Sequence, residues 1–296
     1  MFRDGVKGNP FLLSPDNPQF EPQPAPSDAQ PPPLSPDILS PLPVPPPPRD
    51  PVWSGWDVLQ IAGLTLLTLF VVQLIIIIAA QRLVYSRATW TDVAQKPVLA
   101  LLSELLTYVA VAIFMVLLVE GKYHVRFWEA IRWNWPGRSV GKLLFLGVVL
   151  LFALSLLERF LPTPKSTPFE QFFARPIDAY LTSIFAVTLG PLMEELFFRG
   201  FFYPVLERRV GVPLAIFLTA LPFGLMHLPQ YGYAWSAVLI VFLVGVVLTA
   251  VRAVTKSVAA SFLVHVGYNG TLMIMAAVVT DGFRHMDKAG LALLRF

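Results

Sequence analysis

Three short patterns set ionisable side chains inside otherwise apolar stretches. The first is Leu192-Met193-Glu194-Glu195-Leu196-Phe197-Phe198-Arg199. The second runs from Phe223 to His227, and the third is His265-Val266-Gly267-Tyr268-Asn269. An ionisable group at the centre of a membrane helix costs about 2.5–3.5 kcal/mol on insertion scales, so such residues face a bundle interior or a wet cavity. Residues four apart on a helix share a face. Glu195 and Arg199 can therefore pair, while Glu194 points about 100° away and is free for another task. Phe223 and His227 share a second face, and His265 and Asn269 a third. The plainer alternatives are an ion cluster that pins helices together and histidines that are only hydrogen-bonded core residues.

Together these residue types can build a hydrolase centre. A carboxylate taken out of water can act as general base on a water molecule, with a histidine beside it to orient that water. A second histidine and an asparagine amide can donate to the oxyanion of a tetrahedral intermediate. A glutamate and two histidines could equally hold zinc with one position open to water, and residue types alone do not separate the two versions. Other hydrolytic centres fit less well. The chain has no cysteine, so it offers no thiol nucleophile and no Cys-ligated zinc. It has no His-Glu-x-x-His zinc signature and no intramembrane aspartate pair. Ser261 lies four before His265, but adjacent turns of one helix aim a nucleophile and its base poorly.

The elements that must carry these residues read as membrane helices. Hydrophobic residues make up 55% of the 296 and charged residues only 14%, against about 25% charged in a soluble domain. Apolar runs at 58–80, 97–119, 140–158, 178–200, 210–228, 233–252 and 257–279 predict an all-α, polytopic transmembrane helix bundle of about seven to eight spans. Residues 53–296 form the expected helical domain. Residues 1–52, with sixteen prolines among the first fifty, predict a disordered or polyproline tail that serves as a spacer. The N-terminus shows no apolar leader, which leaves insertion to the first span. In the 120–142 loop, Phe127, Trp128, Ile131 and Trp135 sit at helical spacing between basic residues, predicting a helix at headgroup level. A small Lys and Arg excess on the N-terminal side predicts a cytoplasmic N-terminus. Basic residues are scattered rather than striped, which argues against a nucleic-acid partner. Glu104 lies in the second span without an evident partner.

The three patterns, in this order and on separate spans, resemble the intramembrane endopeptidases of the CAAX-processing and bacteriocin-immunity type, the type II CAAX prenyl endopeptidase family. The family's motifs are Glu-Glu-x-x-x-Arg, Phe-x-x-x-His and His-x-x-x-Asn or -Asp, and the likeness covers about residues 175–275. It implies a membrane-embedded, glutamate-dependent peptidase acting on membrane-associated peptides or proteins, with CAAX-like C-terminal processing as one form. Glu194 would be the base, His227 would help activate the water, and His265 and Asn269 would bind the oxyanion. Glu195, Arg199 and Phe223 would support them. The family has been described as metalloproteases, so a divalent metal such as zinc on Glu194, His227 and His265 stays open. An integral, multi-pass protein is implied, in the plasma membrane if the source is bacterial. The rival readings are a non-catalytic immunity or scaffold protein that binds a partner, and an ion-coupled transporter.

Overall fold

Lipid offers no hydrogen bonds, so a chain this apolar must satisfy its backbone within helices, and the seven runs are helical, the 178–200 run in pieces. The computed structural model describes residues 50–162 and 167–285, all within the compact unit Pro48–Phe296. The tail expected over 1–52 lies outside the described residues up to position 49. The helices are α1 Gly55–Leu83, α2 Trp90–Ala94, α3 Pro97–Val116, α4 Phe127–Ala130, α5 Val140–Glu158, α6 Pro176–Val187, α7 Leu189–Glu195, α8 Tyr203–Val210, α9 Val212–Met226, α10 Trp235–Thr255 and α11 Val258–Val279. No strand occurs among the described residues.

Among the described residues, six helical stretches are long and apolar enough to cross a membrane. One of them, Pro176–Val210, joins α6, α7 and α8 through a wide π turn at Leu196–Phe202. The expected span at 210–228 is the short helix α9, whose 15 residues fall below that length. The chain is thus an integral, multi-pass membrane protein.

Local chemistry fixes the ends. Ser54 caps α1 with Asp57 in a reciprocal capping box, which satisfies otherwise orphaned N–H groups. Asp57 also accepts from Lys122 Nζ at 2.5 Å and Tyr123 Oη at 2.7 Å, fastening the start of α1 to the end of α3. The 120–142 segment departs from expectation. Between the π turn that ends at Lys122 and the 3-10 turn that starts at Gly137, only Phe127–Ala130 is helical, and Phe127 and Ile131 turn into the core while Trp128 and Trp135 stay exposed. Hydrogen bonds stitch this segment to the α10–α11 turn: Val258 N donates to Arg132 O at 3.0 Å, and Asn134 Nδ2 donates to Lys256 O at 3.1 Å. Those bonds hold the backbone in a loop that a continuous surface helix would break.

The helix that carries His265 is set by glycine. A Cβ at Gly267 would lie 2.3 Å from Leu144 O, and one at Gly147 would lie 2.3 Å from Val264 O. Helices α5 and α11 therefore touch backbone to backbone, the small-residue packing of membrane interfaces. Gly267→Ala should force the two helices apart and lower stability by about 1–3 kcal/mol, the cost of an overpacked core. Unfolding of the detergent-solubilised protein measures this, and an unchanged transition would contradict the close approach.

Candidate active site

Glu194 and Glu195 end α7, and the chain then enters the π turn Leu196–Phe202 that carries Arg199. Such turns free or redirect backbone carbonyls and recur at functional sites. Two carbonyls here are taken by side chains distant in sequence. Trp53 Nε1 donates to Phe201 O at 3.0 Å, and Arg252 Nε donates to Arg199 O at 3.1 Å. Upstream, α6 and α7 are separated by a break at Thr188 (φ −116°, ψ −78°), three residues before Pro191, which cannot supply an N–H to the preceding turn.

Glu195 and Arg199 form the anchored half of the site, both fully buried. Arg199 Nη1 donates to Glu195 Oε1 at 2.8 Å, Nη2 to Gly245 O at 2.9 Å and Nε to Thr249 Oγ1 at 3.2 Å. Its guanidinium also lies 4.4 Å from the centre of the Phe223 ring, a cation–π contact. Glu195 Oε1 accepts a second bond, from His265 Nδ1 at 3.0 Å.

Glu194 is the open half. Its carboxylate oxygens stand 3.8 Å from His227 Nε2 and 3.7 Å from His265 Nε2. These gaps exceed a direct hydrogen bond and suit a bridging water. The Glu194 and His227 side chains each keep 16% exposure, whereas that of His265 keeps 5%. His227 Nδ1 lies 2.8 Å from Phe223 O. A carbonyl can only accept, so Nδ1 carries the proton and Nε2 presents its lone pair toward Glu194 in the neutral ring. Phe223 is the floor, its ring 5.2 Å from His227 and 6.0 Å from His265.

Helices distant in sequence thus bring Glu194, His227 and His265 together, although His227 ends a short helix and Glu194 lies mid-span. Asn269 is placed differently. Its Nδ2 donates to Ala186 O at 2.8 Å, filling a carbonyl at the end of α6 where the helix is interrupted. One amide proton of Asn269 therefore holds the α6 end to α11.

Neighbours that the spacing of motifs does not reveal complete the site. Tyr108 Oη donates to Glu104 Oε1 at 2.8 Å, and the Tyr108 ring stacks on Phe185 at 5.5 Å. Glu104 lies within electrostatic reach of Glu194 and His227, which answers its lack of a partner in sequence. The signal available was a lone acid in an apolar run with a tyrosine four residues on. Tyr231, in the loop after α9, comes within reach of Glu194, and burial pushes its phenol up to about 12, so it remains an O–H donor at neutral pH. The chain also contains Gly137-Arg138-Ser139-Val140-Gly141, the spacing of a nucleophile elbow. That device needs a strand-to-helix turn, whereas Ser139 closes the 3-10 turn Gly137–Ser139 that leads into α5.

All three patterns lie in one matched segment: residues 176–271 fit the family model described as Type II CAAX prenyl endopeptidase Rce1-like. This segment is similar to an Rce1-like domain. No curated relative and no solved structure matches the chain. The match makes residues 176–271 similar to the CAAX-type intramembrane proteases. The matched segment takes in α6 to α10 and most of α11. From outside it, Trp53, just before α1, bonds the π turn, and Glu104 and Tyr108 of α3 lie beside the site. Among the described residues, no group of three or more His, Asp or Glu is gathered as a metal ion requires. His265 Nδ1 is held by Glu195 and His227 Nδ1 by Phe223 O, so Nε2 is the ring nitrogen of each that faces Glu194.

Proposed function

We propose that the protein hydrolyses a peptide bond of a membrane-associated substrate with a water activated by Glu194. The observation that carries this reading is the gap between Glu194 and the two imidazole Nε2 atoms, 3.8 and 3.7 Å wide, in a site otherwise packed with aromatic rings. A water there donates one proton to Glu194 and the other to His227 Nε2, which leaves its lone pair free to attack a carbonyl carbon. Glu194 takes the proton as the C–O bond forms, and the proton then passes to the leaving amine nitrogen as the C–N bond breaks. General base assistance of this kind contributes about 10²–10⁴-fold.

His265 serves as an oxyanion donor only when it carries both ring protons, because its Nδ1–H is given to Glu195. The second amide proton of Asn269 is the other donor, and Arg199 holds Glu195 in place through its Nη1 hydrogen bond. No step is routed through a metal. The sequence order of the motifs and the family match support CAAX-like C-terminal peptides, carried on a lipid-anchored chain, as the substrate class. The rival immunity or scaffold role would need none of these groups to be aligned.

The protein in liposomes, supplied with lipid-anchored and transmembrane peptides, should release fragments detectable by mass spectrometry. His227→Ala should slow release by at least about 10²-fold. Equal release by wild type and His227→Ala would overturn the proposal, as would no release from any anchored peptide by a folded wild type.

A further inference from the structure

We propose that a groove between the start of α5 and the end of α10 holds one anionic phospholipid of the leaflet on the N-terminal side. The groove has a volume of about 650 Å³ and is lined by Ser139, Lys142, Leu143, Leu146, Val149 and Thr255. The first five residues fall on one face of α5 and its leading turn, at helical spacing. From Ser139 to Val149 the helix rises about 15 Å, half of the ~30 Å hydrocarbon core. The groove is therefore one leaflet long, and its outer side faces the membrane.

Polarity along the groove gives the orientation. Lys142 lies at one end with exposed Arg138 beside it, and the far end is apolar Leu146 and Val149. Trp135, 59% exposed next to this mouth, is placed as interfacial aromatics are, at headgroup level. Four other basic residues at this end are spent on carboxylates, and Arg208 donates to Pro51 O at 2.9 Å. Lys122 pairs with Asp57, Arg126 with Glu129, Arg132 with Asp50 and Lys256 with Glu207. Among the described residues, Arg138 and Lys142 form no ion pair. Two unspent cations above an apolar slot match a phosphate headgroup above an acyl chain. Because α5 packs on α11, the bound lipid buttresses the helix that presents His265.

The full-length protein in mild detergent, incubated with phosphatidylglycerol and with phosphatidylcholine of the same chains, tests this by native mass spectrometry. Phosphatidylglycerol should be retained in preference. Neutralising Arg138→Gln and Lys142→Gln should weaken its retention about fivefold per charge, the equivalent of the ~1 kcal/mol each basic residue contributes near a membrane surface. Leu146→Trp, which fills the slot and leaves both charges, should reduce retention of both lipids. All three positions are solvent- or lipid-facing, so the variants should unfold like wild type without lipid. Equal retention of the two lipids by wild type overturns the proposal. So does unchanged retention in both the double variant and Leu146→Trp. The outcome is independent of proteolysis.

Discussion

Glu194→Gln should lower kcat by about 10²–10⁴-fold while leaving the unfolding transition near that of wild type. The amide has nearly the shape of the carboxylate but cannot take a proton from water. Glu194 makes no direct hydrogen bond within 3.5 Å to either imidazole, standing 3.8 and 3.7 Å away, so the swap leaves no buried donor stranded. Glu195→Gln tests the opposite case. Glu195 is fully buried and one of its oxygens accepts from both Arg199 and His265. Losing its charge should cost stability as well as rate. The contrast separates a reacting carboxylate from a supporting one on adjacent positions. Wild-type turnover by Glu194→Gln, measured on the same anchored peptide, would remove Glu194 from the chemistry.

Much of this arrangement was legible because it obeys helical spacing. Phe223 and His227 were read as sharing one face, and Glu195 and Arg199 as a pair, because four residues make about one turn; the apolar runs gave the helices because lipid permits little else. What the spacing hides is of another kind. The π turn at Leu196–Phe202 is a backbone insertion with no signature in the hydrophobic period, yet it sets which carbonyls Trp53 and Arg252 must fill. Thr249, Gly245 and Arg252 lie some fifty residues from Arg199, and a single sequence carries no mark of such contacts. Glu104 read as unpartnered because Tyr108 alone, a turn away, is its hydrogen-bond donor, and the groups it faces come from α7 and the end of α9. Spacing places Asn269 on one face with His265, yet it says nothing of the Ala186 carbonyl, at the end of α6, that takes one amide proton of Asn269. The 120–142 loop shows the reverse failure. Its periodic aromatics suggested a surface helix, but hydrogen bonds to the α10–α11 turn outweigh that local preference.

Arg199→Met should cost the most stability of any single change at the site. Arg199 is fully buried, and all its nitrogens act: Nη1 on Glu195, Nη2 on the Gly245 carbonyl and Nε on Thr249. Methionine fills much of the same length but leaves Glu195 as an uncompensated buried charge. Removing one partner of a buried pair costs about 3–5 kcal/mol, and the Gly245 carbonyl loses one of its donors, Thr249 Oγ1 remaining on it at 2.7 Å. Arg199→Lys keeps the charge but not the planar fork, which cannot reach three acceptors from one ammonium, so it should recover only part of the loss. The double variant Arg199→Met with Glu195→Gln removes the stranded charge and should be more stable than Arg199→Met alone, because two apolar or neutral groups replace a broken pair. Unfolding in detergent of the three variants reads this ordering directly. If Arg199→Met unfolds at the wild-type transition, or if the double variant is no better than the single, the ion pair is not what holds α7 against α10. The positions of Glu194 and His265 would then have to be explained by packing alone.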